Sequence, residues 1–265
     1  MKYKMLVLDM DDTLLTDDHT ISEENATMLF KAQELGVYVV LASGRPTPAM
    51  TTYAKELQLD NSFMISYNGA VITDLKEDKI IFEQTLSQQQ IHELYDYSVK
   101  SNTHIITYVD GKIVSETDSE YIEVERTITG LEHNKVLNFK DAVKSAAIKC
   151  ILLEEPNYLK QVEIDLKAAM PHLSVCMSKP FFLEVAQNGI DKGASIKFLA
   201  EKLNILQSEI IAVGNAGNDL TMIEYAGLGV WVDNVDPELR DKGDFIVASN
   251  NNHGVAEVVR RFILN

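Results

Sequence analysis

The run Met5-Leu6-Val7-Leu8-Asp9-Met10-Asp11-Asp12-Thr13-Leu14-Leu15 constrains the fold more than any other stretch. Apolar residues that stop abruptly at three acids describe a strand buried on both faces of a parallel sheet, with carboxylates delivered to its C-terminal edge. Open α/β sheets bind ligands at that edge. Asp9 and Asp11 are two residues apart, so an extended backbone would send both side chains to the same side. Carboxylates held that close repel each other, and a divalent cation between them or a proton on one of them relieves the repulsion. Either state is chemically useful: an ionised Asp9 can attack an electrophile while a protonated Asp11 donates to a leaving group. The plainer alternative for the same residues is an acidic turn that caps a helix.

The residues that follow repeat a strand–helix–strand rhythm. Ser22 precedes Glu23-Glu24-Asn25 and an apolar stripe at Met28, Leu29, Ala32 and Leu35, with Gly36 beyond, which is a capped amphipathic helix and its stop. Residues 37–42 form the next buried strand and end in Ser43-Gly44-Arg45-Pro46, so the pairing is parallel. Pro46 fits the first turn of a further helix, which places Ser43 and Gly44 at an N-terminus where backbone N–H groups favour anions. Residues 62–66 give a third strand, and 70–72 with 79–82 a hairpin. Asn68-Gly69 between them fits a type I′ turn. From about 84 to 183 the rhythm changes to an antiparallel pattern with helices, predicting an inserted α+β domain within a core of residues 1–83 and 184–265. The stretch 116–144 inside it has no regular pattern. After the insertion, Asn188-Gly189-Ile190-Asp191-Lys192-Gly193 opens a helix, and residues 210–213 form a buried strand ending in Gly214-Asn215-Ala216-Gly217-Asn218-Asp219. Two short strands near 228–232 and 245–247 and a closing helix complete the chain.

Composition narrows the function. With 265 residues, 46% of them hydrophobic, a sizeable core is available. A formal charge of -16 argues against nucleic acid and anionic membrane surfaces as partners. No apolar run reaches spanning length and the first strand is too short for a secretion signal, so a cytoplasmic location is expected. Cys150 and Cys176 both lie in strand-like apolar runs and are expected to be buried thiols. The six histidines show no metal-ligand spacing.

Four segments fall at strand ends or helix starts: Asp9 to Thr13, Ser43-Gly44, Lys192, and Gly214 to Asp219. Taken together with the insertion, they resemble the haloacid dehalogenase-like (HAD) phosphatases of the Cof type over essentially the full length. The resemblance implies a Rossmann-like doubly wound parallel sheet core with an inserted α+β cap that sets substrate selectivity. It also implies roles. Asp9 would be the nucleophile that forms a phosphoaspartate, and Asp11 the acid and base. Mg²⁺ would be held by Asp9, the Asp11 carbonyl and the side chain at 215. Lys192, Ser43, the N–H groups of Met10 and Gly44, and the Asn218 amide would surround the phosphoryl oxygens. Asp219 would orient Lys192, and Thr13 would support the loop. Arg45 either reaches the substrate or pairs with an acid. Asn68-Gly69-Ala70 recurs near the site in that family.

One departure stands out, since the family pattern has an aspartate where this chain has Asn215. An amide oxygen still ligates Mg²⁺, but the site loses one negative charge and metal affinity should fall. The expected activity is Mg²⁺-dependent hydrolysis of a small phosphorylated metabolite: a sugar phosphate, a nucleotide or a phosphorylated cofactor. A binding protein impaired in metal use by Asn215, and a phosphotransferase on the same scaffold, are the alternatives. A monomer or weak homodimer is expected. Phe181, Phe182 and Tyr108 are candidates to stack on a ring, although aromatic residues at strand positions more often belong to a core.

Overall fold

The computed structural model describes residues 2–264. The chain divides into two compact units, one made of the residues up to Phe82 and from Asp191 onward, the other of Glu83–Ile190.

The first unit begins with β1 (Met5–Leu8), α1 (Glu23–Glu34), β2 (Tyr38–Ala42), α2 (Thr47–Glu56), β3 (Phe63–Ser66), β4 (Val71–Asp74) and β5 (Lys79–Glu83, which runs one residue past the division). The second holds α3 (Gln88–Lys100), β6 (His104–Val109), β7 (Lys112–Ser115), α4 (Glu120–Thr129), β8 (His133–Lys135), α5 (Phe139–Ala142), β9 (Cys150–Leu153), α6 (Pro156–Ala169), β10 (Leu173–Lys179) and β11 (Phe182–Gln187). The first unit then resumes with α7 (Lys192–Leu203), β12 (Ile210–Gly214), α8 (Leu220–Tyr225), β13 (Leu228–Val232), β14 (Phe245–Val247) and α9 (Gly254–Phe262).

The eight-stranded sheet of the first unit runs β14-β13-β12-β1-β2-β3-β4-β5. β1 pairs in parallel with β2 on one flank and β12 on the other, and β3 with β4 is antiparallel. Strand order therefore reverses at β1, the place where such sheets open a crevice beyond their carboxyl ends. Leu6 and Leu8 pack in one layer with Leu29 of α1 and Val258 of α9, while Met5 and Val7 pack in the other with Leu199 of α7 and Met222 of α8. All four β1 residues have no exposed surface, as expected of a strand covered on both faces. Ser22 caps α1 by accepting from the Asn25 N–H, and Gly36 ends the turn after it at φ +82°.

The second unit has a six-stranded sheet in the order β10-β11-β9-β6-β7-β8, antiparallel except for β7 with β8. Its core gathers Leu94, Ile105, Cys150, Leu152, Leu159 and Val185 between the sheet and α3 and α6. The opening of α3 carries a capping box in which Ser87 and Gln90 each bond the other's backbone N–H.

Several expectations change here. The anticipated return to the first unit at residue 184 cuts through β11, which pairs with β9 and β10, and the division falls after Ile190 instead. The irregular stretch 116–144 contains α4, β8 and α5. Cys150 is buried but Cys176, on β10 at one margin of the sheet, is exposed. Phe182 and Tyr108 are buried, and Phe181 stacks on Tyr121 at 5.2 Å, so these rings pack against their own unit. Among the described residues no helix is long and apolar enough to cross a membrane.

Candidate active site

The chain leaves β1 at Leu8, yet the Asp9 N–H still donates to the Val213 carbonyl at 3.0 Å, so β12 steers it one residue further. It then coils tightly: Asp12 takes φ +58°, and the Leu15 N–H closes back onto the Met10 carbonyl at 2.9 Å. Asp9 and Asp11 themselves keep extended dihedrals, φ -64°, ψ 159° and φ -66°, ψ 128°, and the left-handed residue comes only at Asp12. The Asp9 carboxylate meets Lys192, and the Asp11 carboxylate meets Arg45. Two separate cations offset the charges that would otherwise repel.

Lys192, the first residue of α7, has no exposed surface. Its ammonium donates to Asp9 Oδ1 and to Asp219 Oδ1, each at 2.6 Å. Asp219 is equally buried, and its Oδ2 accepts the N–H groups of Asn215 at 2.9 Å and Ala216 at 3.1 Å. The neighbouring glycine makes room: a Cβ at Gly214 would lie 2.6 Å from the Asp219 side chain. Burial, and next the Asp219 charge, push the Asp9 carboxyl up to about 7. Burial alone would lower Lys192, but Asp219 and Asp9 outweigh it and hold the ammonium charged. The positive end cost of a lysine at a helix start is offset by these acids and by Asp191, which caps α7 through the Ala194 N–H at 2.8 Å.

Arg45 grips Asp11 as a fork, Nε to Oδ2 at 2.9 Å and Nη2 to Oδ1 at 2.6 Å. Its side chain is 8% exposed, against 41% for Asp11, so the guanidinium is a fixed anchor and the carboxylate faces outward. Of the two readings of Arg45, pairing with an acid is the one observed. Buried Ser43 accepts the Arg45 N–H at 3.1 Å through its hydroxyl oxygen. Thr13 donates to Asn215 Oδ1 at 3.2 Å, and Asn218 Nδ2 donates to Asn68 Oδ1 at 3.1 Å. Asp9, Thr13, Lys192, Asn215 and Asp219 are thus joined by Lys192 and by local bonds, Asp11, Ser43 and Arg45 by Arg45, and Asn218 connects to Asn68. Met10 is buried, and a Cβ at Gly44 would lie 3.1 Å from the Asn68 amide. Two residues near the start of α7 had no sequence signal. Thr221 accepts the Gly193 N–H at 3.2 Å, and Ser195 donates to the Gly69 carbonyl at 2.7 Å.

A mostly parallel sheet with a strand-order reversal, acids beyond the central strand and a buried lysine brought from far along the chain define a Rossmann-like doubly wound α/β hydrolytic core. The chain belongs to the haloacid dehalogenase-like hydrolase family, whose model matches residues 6–259. The Bacillus subtilis protein YxeH is 32% identical over 271 residues, with 99% of each chain covered. A second Bacillus subtilis relative, 5-amino-6-(5-phospho-D-ribitylamino)uracil phosphatase YcsE, is 31% identical over 98% of this chain and 96% of its own. Among solved structures, a haloacid dehalogenase-like hydrolase from Bacteroides thetaiotaomicron superposes with a TM-score of 0.93 at 32% identity, covering 99% of this chain and 100% of that one.

Proposed function

We propose that this chain is a phosphatase that hydrolyses a small phosphorylated metabolite through a phosphoaspartate on Asp9. The observation that carries the proposal is the Lys192 ammonium, wholly buried and 2.6 Å from both Asp9 and Asp219. A lysine in that position holds Asp9 in place and offers fixed positive charge where phosphoryl oxygens gather charge in the transition state.

In the first step an Asp9 oxygen attacks phosphorus, the ester P–O bond breaks, and the leaving oxygen takes the proton that Asp11 carries into the step, one Asp11 oxygen having left the Arg45 fork to hold it. In the second, water attacks phosphorus while its proton passes to Asp11, and the bond to Asp9 breaks to free inorganic phosphate. Arg45 fixes the position from which Asp11 acts. Ser43, Asn218 and the N–H groups of Met10 and Gly44 complete the phosphate contacts in this reading.

The donor set suits a hard divalent cation. Two buried carboxyl groups share one ammonium, and Asn215 joins the same cluster through its backbone N–H on Asp219. Among the described residues no three acidic, histidine or cysteine side chains gather to hold a metal, and position 215 offers an amide where the family has a carboxylate. Mg²⁺ would therefore rest on Asp9, the Asp11 carbonyl and Asn215, supplying positive charge to the phosphoryl group when bound. In this reading the unit made of residues 83–190 sets substrate selectivity. The relative YcsE is named a phosphatase of a phosphorylated ribityl compound, which supports a sugar-phosphate-like substrate.

The test is phosphate release from a panel of sugar phosphates, nucleotides and phosphorylated cofactors, with and without Mg²⁺. Release that vanishes in Asp9→Asn, with an acid-stable mass gain of one phosphoryl group lost in the same variant, is the expected result. Asn215→Asp should raise turnover at limiting Mg²⁺; unchanged metal dependence would remove 215 from the ligand set. Asn215 favours one second reading, a phosphometabolite-binding protein, which tight ester binding without release at saturating Mg²⁺ would select.

A further inference from the structure

We propose that Asn68 is a positioning residue of the phosphate site, fixing the Asn218 amide so that Asn218 turns an N–H and not its carbonyl toward the phosphoryl group. The inference rests on the phosphatase reading above.

Three consecutive residues between β3 and β4 have left-handed backbones: Tyr67 at φ +53°, Asn68 at +55° and Gly69 at +110°. A two-residue hairpin turn needs only two such positions, and a bulky tyrosine is a poor occupant of a third. The surroundings hold the strain in place. The Tyr67 N–H donates to the Arg45 carbonyl at 3.0 Å and the Asn68 N–H to the Ser43 carbonyl at 2.9 Å. On the other side the Gly69 carbonyl accepts from Ser195 of α7 at 2.7 Å. Only glycine fits at 69, where a Cβ would sit 2.5 Å from the Asp191 carbonyl oxygen. The turn is thereby tied to the Ser43–Arg45 segment and to the helix that opens with Lys192.

What this turn presents is the Asn68 amide. It lies against Gly44, where a Cβ would come within 3.1 Å of both its Nδ2 and Oδ1, and its Oδ1 accepts from Asn218 Nδ2 at 3.1 Å. A terminal amide has nearly the same shape when flipped, but the flip exchanges a donor for an acceptor. Asn218 has an exposed side chain and needs a partner to choose between them. With the Asn68 oxygen as acceptor, the Asn218 nitrogen turns to the side of the turn and its second N–H is left to donate, whereas the flipped carbonyl would repel phosphate oxygen.

Asn68→Gly is the informative variant, because glycine takes the left-handed backbone freely and removes only the side chain. KM, kcat and inhibition by inorganic phosphate are measured in the wild type, Asn68→Gly, Asn218→Ala and the double variant, with thermal midpoints alongside. We expect Asn68→Gly to weaken KM and phosphate inhibition about fivefold in the wild-type background and less than about twofold in the Asn218→Ala background. Asn68→Asp, which keeps an oxygen facing Asn218, should retain the sensitivity to Asn218→Ala even if the glycine variant melts lower. Equal weakening in both backgrounds, no weakening in either, or identical behaviour of the two Asn68 variants overturns the proposal while leaving an active wild type unaffected. A wild type that neither releases nor binds phosphate overturns the phosphatase reading, and this inference with it.

Discussion

Removing Lys192 strands two buried carboxylates, because among the described residues Asp9 and Asp219 have no other cation within the hydrogen bonds they make. Breaking such an arrangement from one side costs about 3–5 kcal/mol, more than most core substitutions. Lys192→Met should lower the thermal midpoint by many degrees and abolish phosphate release, and adding Asp219→Asn should recover part of the midpoint but none of the activity. A melt unaltered by Lys192→Met would mean that the cluster is not the compact charge unit described. Arg45 makes a different prediction. Its fork engages Asp11 through two nitrogens, a geometry that lysine cannot reproduce. Arg45→Lys should lower kcat roughly tenfold while inhibition by inorganic phosphate stays constant. Should phosphate inhibition weaken and kcat hold, Arg45 binds the substrate directly.

At the level of elements, the approach of α7 to α8 depends on a missing side chain. A Cβ at Gly193 would lie 2.4 Å from the Thr221 carbonyl oxygen, so Gly193→Ala must push the first turn of α7 away. That turn carries Lys192, and a displacement of overpacking size, worth about 1–3 kcal/mol, should be seen both in denaturant midpoint and in kcat. β1, the flanking βαβ units and Lys192 at a helix start were all legible in the sequence because each is a local pattern of apolar run, cap and stop. The separate partners of Asp9 and Asp11 were not legible. They lie 183 and 34 residues away, at Lys192 and Arg45, and no spacing rule within the Asp-Met-Asp stretch contains them. The same holds for β11, whose apolar alternation suits either sheet and whose place is decided by its pairing with β9 and β10. α4 was hidden because its N-cap, Ser119, follows an acidic loop and its buried face holds Glu125, which accepts from the Tyr108 hydroxyl, where periodicity would look for an apolar residue.

For the molecule as a whole, the Glu83–Ile190 unit has its own sheet and its own core, so residues 83–190 expressed alone should fold cooperatively. Cys150 serves as a reporter. It lies in that core, and burial pushes its thiol up to about 12, so almost no thiolate exists at pH 8 in the folded state. In a Cys176→Ser background, Cys150 should resist alkylation at pH 8 and react at the denaturant midpoint found by circular dichroism; prompt labelling without denaturant would show that the excised unit is not closed. The placement of β1 has a consequence for how the chain is made. One flank of β1 is filled by β2, synthesised soon after, but the other waits for β12, which leaves the ribosome only after the whole Glu83–Ile190 unit. Throughout that interval the nascent polypeptide carries an open, fully apolar strand edge of the kind chaperones capture, while the later unit can already be folded beside it.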